Sequence, residues 1–139
     1  MNSMNSERFN PAYFNSFQKD TLPALLGVEI VEVAPKRVRA RMKIEKHHLA
    51  PNGFLHAASV VTLADTSCGY GCVAHLPEGA KGFTTIELKT NHLGTALEGT
   101  LECEALAVHL GKTTQVWDAT VSAGGKTIAL FRCTQMVLR

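Results

Sequence analysis

Apolar and polar residues alternate most cleanly at positions 37–44, where Val38, Ala40, Met42 and Ile44 interleave with Arg37, Arg39, Arg41 and Lys43. Successive side chains of a strand point to opposite faces, so this pattern predicts a strand with one apolar and one cationic face. Val28, Ile30, Val31 and Val33 start a similar pattern before a turn at Pro35-Lys36, which makes the two segments a hairpin. After Phe83 the chain reads as strand throughout: TTIELKTNHL, GTLECEALAVHL, KTTQVWDATVSA and KTIALFRCTQMVL, punctuated by Gly94, Gly111 and Gly124-Gly125.

The middle of the chain is different. Residues 55–75, LHAASVVTLADTSCGYGCVAH, are apolar almost all round and rich in Ala, Gly, Ser and Cys. That composition predicts a helix enclosed on most sides and approached closely by other backbone. At ~1.5 Å per residue, about twenty residues reach roughly 30 Å, enough to cross one face of a small sheet. Pro77, Gly79 and Gly82 end it, and HHLAPNGF (47–54) ahead of it reads as a loop. Upstream, Asn10-Pro11 caps a short docking helix with Tyr13, Phe14 and Phe17 on one face, and Leu22–Gly27 is expected to be a link. The expected fold is α+β: an antiparallel six-stranded sheet wrapped around one long central helix, in a single domain over 1–139 with an N-terminal helical segment at 1–24.

Composition narrows the function classes. Of 139 residues, 45% are hydrophobic and 19% charged, so the chain can bury a core. Fourteen Lys and Arg against twelve Asp and Glu give a net charge of +2, too weakly basic to imply nucleic acid. No window holds about 18 uncharged apolar residues, and MNSMNSERFNPAYF lacks the basic and apolar runs of a secretory leader. The expectation is a cytoplasmic protein with no membrane partner, in which Cys68, Cys72, Cys103 and Cys133 are reduced core thiols. His47 and His48 are adjacent and on an extended chain would point apart; with no third ligand at metal spacing, no metal site is expected. Trp117 is read as a packing residue.

Asp65 carries the most information, because it interrupts an otherwise apolar helix. A buried carboxylate without partners costs several kcal/mol, so it needs a reason: a wet strip of the helix, a bond to a neighbouring strand, or chemistry. His56 sits at the start of the same helix, where unpaired backbone N–H groups and the positive end of the dipole favour an oxyanion. Nine residues at about 100° each place His56 and Asp65 on opposite sides of the helix, so one chain makes no simple dyad. Two helices packed across a twofold axis would remove that difficulty.

PNGFLHAASVVTLAD followed by TTIELKTNHL resembles the hotdog-fold acyl-CoA thioesterases, in the group that includes the phenylacetate-pathway and 4-hydroxybenzoyl-CoA enzymes. The resemblance runs from about Leu25 to the C-terminus; its most specific part is Gly53, then Leu55-His56-Ala57-Ala58, then Asp65 nine positions after His56. It implies that Asp65 attacks the thioester carbonyl or activates water, that the Ala57 N–H is the main oxyanion donor, and that His56 supports that helix end. It also implies that Thr85 helps place water or substrate. Relatives usually have His-Gly-Gly where this chain has His56-Ala57-Ala58, and commonly place Asn or Gln where it has Ala50; Asn52 is the candidate replacement.

Thioester hydrolysis of this kind needs no metal or redox cofactor, since coenzyme A is part of the substrate. Its phosphates require a few cations, for which Lys89 and Lys112 are candidates, the alternative for each being a solvated lysine. The expected activity is hydrolysis of a medium-chain or aromatic acyl-CoA by a homodimer or a dimer of dimers (homotetramer). Two alternatives differ in class: a hydratase or dehydratase on hydroxyacyl or enoyl thioesters, for which HLAPNGFLH supplies only part of the approach segment, and a non-catalytic acyl-CoA binder.

Overall fold

A computed structural model describes residues 4–139. Two short helices, α1 (Pro11–Phe17) and α2 (Leu22–Leu26), precede the hairpin β1 (Val28–Ala34) and β2 (Arg37–Lys43); α3 (Ala57–Ala74) follows, then β3 (Gly82–His92), β4 (Thr100–Leu110), β5 (Thr114–Ala123) and β6 (Lys126–Leu138). The strands form one antiparallel sheet in the order β1-β2-β4-β5-β6-β3, so β3 lies at the far edge, beside the last strand. This is the architecture expected from the sequence. No helix among the described residues is long and apolar enough to cross a membrane.

Three local expectations change. Leu22–Gly27 is a helical turn rather than a link: Pro23 sits in its first turn, and Gly27 closes it at φ 84°, a left-handed conformation that glycine adopts without steric cost. The loop at 47–54 opens with a 3-10 turn, Lys46–His48. Because that turn is not extended, the rings of His47 and His48 lie 4.3 Å apart instead of pointing to opposite sides. His48 is fully buried; its Nδ1 accepts the Glu45 N–H at 2.9 Å and its Nε2–H donates to the Leu26 carbonyl at 2.6 Å, which fixes a structural tautomer.

The period of two works as read. Val38, Ala40 and Met42 are buried, while the arginines between them face outward and pair with Glu29 and Glu32 across the hairpin. On the concave face these residues join Leu101, Cys103 and Ala105 of β4, Trp117, Ala119 and Val121 of β5, and Phe131 and Cys133 of β6 around the buried side of α3. All four cysteines are free and buried, and burial pushes the Cys72 and Cys103 thiols up to about 12.

The glycines of α3 explain how closely the sheet approaches. A Cβ on Gly71 would lie 2.6 Å from the Trp117 ring, and one on Gly69 3.1 Å from Phe83. Trp117 is fully buried; its indole N–H donates to Gln115 Oε1 at 2.8 Å, and Gln115 Nε2 donates to the His75 carbonyl at 2.9 Å. Helix propensity alone would make Gly71→Ala stabilising by about 1 kcal/mol. Overpacking against a fixed ring costs about 1–3 kcal/mol and wins, because Trp117 is held by both packing and hydrogen bonding. The expected outcome is a net loss of stability in denaturant unfolding; a gain would mean that the ring yields.

The two sheet edges are treated differently. The Asn15 carboxamide accepts from Ile30 N–H at 2.8 Å and donates to Ile30 C=O at 3.0 Å, taking the place of a neighbouring strand, while Gln18 Nε2 donates to Val28 C=O at 2.6 Å. β1 is therefore capped by α1. β3 pairs only with β6 and leaves its other side without a strand, with Ile86 and Leu88 exposed.

Candidate active site

The start of α3 is built from the loop before it. His48 C=O accepts both the His56 N–H at 3.0 Å and the Ser59 hydroxyl at 2.8 Å, so the buried turn anchors the helix entry. His56 is the N-cap in extended conformation (φ −68°, ψ 132°), and its Nδ1 accepts the Ala58 N–H at 2.9 Å. A ring nitrogen that accepts is unprotonated, so in the neutral imidazole the proton lies on Nε2. With Ala58 bonded to the ring and Ser59 N–H to His56 C=O, the Ala57 N–H, on an exposed residue, is left without an acceptor among the described residues. It is an unspent donor at the positive end of an 18-residue helix.

Gly53 and Asn52 serve the loop. Gly53 adopts φ 90° and donates to Ala50 C=O at 2.9 Å, and Asn52 Oδ1 accepts the Phe54 N–H at 3.2 Å. Asn52 is exposed, and its oxygen is engaged within the turn, leaving its NH₂ for another partner.

Asp65 lies on the one strip of α3 that the sheet does not cover, with Ala58, Val61, Thr62 and Val73 at helical spacing. It is half-buried, and its Oδ1 is buried with no hydrogen-bond partner. Neither a strand bond nor an ion pair holds it, and burial pushes its carboxyl above the ordinary value of 3.8. A carboxylate kept for stability would be paired. An unpaired one at a cleft makes Asp65 the candidate for acid-base or nucleophilic chemistry.

The cleft beside Asp65 has a volume of about 730 Å³. Thr66, Gly69, Tyr70 and Val73 continue its α3 wall, Phe83 of β3 closes one end, and Phe9, Tyr13 and Phe17 of the N-terminal segment face it. The sequence pattern marks the aromatic stripe as a docking face without placing it at this cleft, and no local signal points to Phe9, Arg8 or Lys81, which also line it.

The remaining candidates do not converge on this cleft. Thr85 is on β3, where its hydroxyl donates to the buried Gln135 Oε1 at 2.7 Å. Lys89 lies opposite Arg132 in the β3–β6 register and lines a separate shallow depression with Asp118 and Leu130. Lys112 is exposed in the β4–β5 turn, where its carbonyl accepts from Arg139 at 2.8 Å. The cations that line the cleft are Arg8 and Lys81. Among the described residues, no three His, Cys, Asp or Glu side chains gather as a metal site requires.

Within one chain, Ala57 and Asp65 are eight residues apart, about 12 Å along the helix axis, too far for both to engage one carbonyl group.

Comparison with known proteins identifies the family. The sequence model of the Thioesterase superfamily matches residues 52–129, the span that holds the end of the loop, α3 and strands β3 to β5. A 1,4-dihydroxy-2-naphthoyl-CoA hydrolase from Listeria monocytogenes is 29% identical over 114 residues, 81% of this chain and 92% of that protein. Among solved structures, a variant of the thioesterase PA1618 from Pseudomonas aeruginosa superposes with a TM-score of 0.91 at 28% identity, covering 98% of this chain and 99% of that one. A thioesterase family protein from Silicibacter pomeroyi gives 0.80 at 34% identity, covering 88% and 93%. With the helix entry, the unpaired acid and the wrapped sheet all in place, this chain belongs to the Thioesterase superfamily and is a thioester hydrolase.

Proposed function

We propose that the substrate is a medium-chain or aromatic acyl-CoA, hydrolysed to the free acid and coenzyme A by paired chains. In this reading each active centre joins Asp65 of one copy to the Ala57 N–H of a second. The observation that carries it is the buried, unpartnered Oδ1 of Asp65 on the uncovered strip of α3. Tight packing has no use for such a group; a twofold contact along that strip gives it one.

The carbonyl oxygen of the thioester accepts from the Ala57 N–H, which stabilises the negative charge that builds on it. Asp65 either adds to the carbonyl carbon directly, or takes a proton from the water that does so. The tetrahedral adduct collapses by breaking the C–S bond, and the thiolate takes up a proton to leave as coenzyme A; on the direct route the acyl group stays on Asp65 as an anhydride, which one water then cleaves to the free acid and the restored carboxylate. Overall one water is consumed, giving one carboxylic acid and one thiol. His56 serves by position: its Nδ1 occupies the Ala58 amide, so Ala57 alone presents a free N–H. No metal or redox centre enters this scheme.

Mixing two inactive variants tests the two-chain reading. Asp65→Asn chains retain the oxyanion donor, and Ala57→Pro chains retain the carboxylate. After denaturation and refolding together, a random dimer population is half hybrid, and each hybrid holds one intact site of two, so thiol release should recover to about a quarter of wild type. No recovery would place both groups in one chain, and activity in either variant alone would dispense with the group it lacks. Following enoyl absorbance beside free thiol separates hydrolysis from a hydratase reaction.

A further inference from the structure

We propose that the N-terminal helix forms the outer wall of the acyl site, and that Phe9, Tyr13 and Phe17 select a flat aromatic acyl group over a flexible chain. The proposal rests on the reading of Asp65 as the acid beside the thioester carbonyl. It starts from a division of labour within the aromatic stripe. Phe14 is the one fully buried ring of the stripe and stacks on Tyr70 at 4.4 Å between ring centroids, while Phe9 and Tyr13 are only partly buried against the core. Phe17 is 59% exposed, yet it lines the cleft that holds Asp65. A phenyl ring not needed for the core, facing a cleft with an acid in its wall, fits an apolar ligand.

The wall is ordered internally. Tyr13 and Phe17 stack at 5.7 Å with their planes 11° apart, Phe9 meets Tyr13 edge-on at 5.6 Å, and Phe17 meets Tyr70 edge-on at 6.3 Å. It is also held rigidly. Tyr70 Oη–H donates to Gln18 Oε1 at 2.8 Å, Gln18 Nε2 donates to Val28 C=O, and Asn15 bonds both backbone groups of Ile30. Fixed rings match another ring by face and edge contacts, whereas an alkyl chain must give up rotational freedom to lie against the same surface. The volume of about 730 Å³ falls in the range that receives small organic ligands.

The test reads binding separately from turnover. Benzoyl-CoA and octanoyl-CoA are titrated calorimetrically into the Asp65→Asn chain, alone and combined with Phe17→Ala or Phe17→Tyr. Without the second change, benzoyl-CoA should bind tighter. Phe17→Ala should cut the ratio of the two affinities by roughly 3- to 10-fold, the worth of one aromatic contact, and Phe17→Tyr should restore it. Equal loss for both ligands, no change for either, tighter binding of octanoyl-CoA to the starting chain, or no binding of either would overturn the proposal. Full turnover by Asp65→Asn would instead overturn the catalytic reading and leave these affinities standing on their own.

Discussion

Replacing Asp65 with Asn is expected to lower thioester turnover by about 10²–10⁴-fold, the contribution of one positioned base, while making the folded chain more stable at neutral pH. The two effects have one origin. In the native chain Oδ1 is removed from water and receives no hydrogen bond, so the charged form is penalised and the carboxyl titrates above its ordinary value. The native state then binds the proton more tightly than the unfolded state does. Below the unfolded value both states are protonated and nothing is lost; as pH rises from there to the raised native value, stability falls, and it stays lower above it.

The asparagine variant has no such step. Melting curves of the two proteins should therefore coincide near pH 3 and separate as pH rises, with the variant on top. For catalysis the sign is opposite, because the ionised form is the working one: kcat/KM should climb with pH across the raised value, leaving an acid limb displaced upward from 3.8. Thiol release measured across pH checks both arms. Turnover that survives in Asp65→Asn would remove this residue from the chemistry.

Ala57→Pro is expected to lower kcat by about 10²–10³-fold without loss of fold. Position 57 is the first residue of α3, the one helical site where proline is readily accepted because its missing N–H has no helical acceptor. The residue before a proline must be extended, and His56 already is, with ψ 132°. Ala57 is exposed within its own chain, so the ring meets no packed neighbour there. The substitution thus deletes one hydrogen atom's worth of chemistry. Ala57→Gly retains the N–H and should retain turnover, which separates the amide from the methyl. Equal melting temperatures together with unchanged kcat in the proline variant would mean that another group receives the oxyanion charge.

The strands and α3 were legible because both depend on period: Val38, Ala40 and Met42 repeat every second residue, whereas residues 57–74 stay apolar through several turns. Asp65 was legible by contrast with its neighbours. The turns at 22–26 and 46–48 were not, since five or fewer residues hold no full repeat, and His48 is held by partners at Leu26 and Glu45 that local pattern does not single out. Charge makes Lys89 a candidate but does not tell which face of a strand a residue takes; its register puts it on the same side of the sheet as Arg132. The cleft was the least legible part, because Phe17 meets Tyr70 across more than fifty residues of chain.

The covered β1 margin and the bare β3 margin limit how this protein can grow. Bare strand edges invite further strands, and a sheet with two of them can add copies without end. Here Asn15 blocks the β1 margin at Ile30, which leaves the β3 margin as the more open of the two to a further strand. Two molecules that meet there use up the more open margin of each. Assembly along the sheet would stop at a pair, and a point change freeing Ile30 from Asn15 is where filament formation would first be sought.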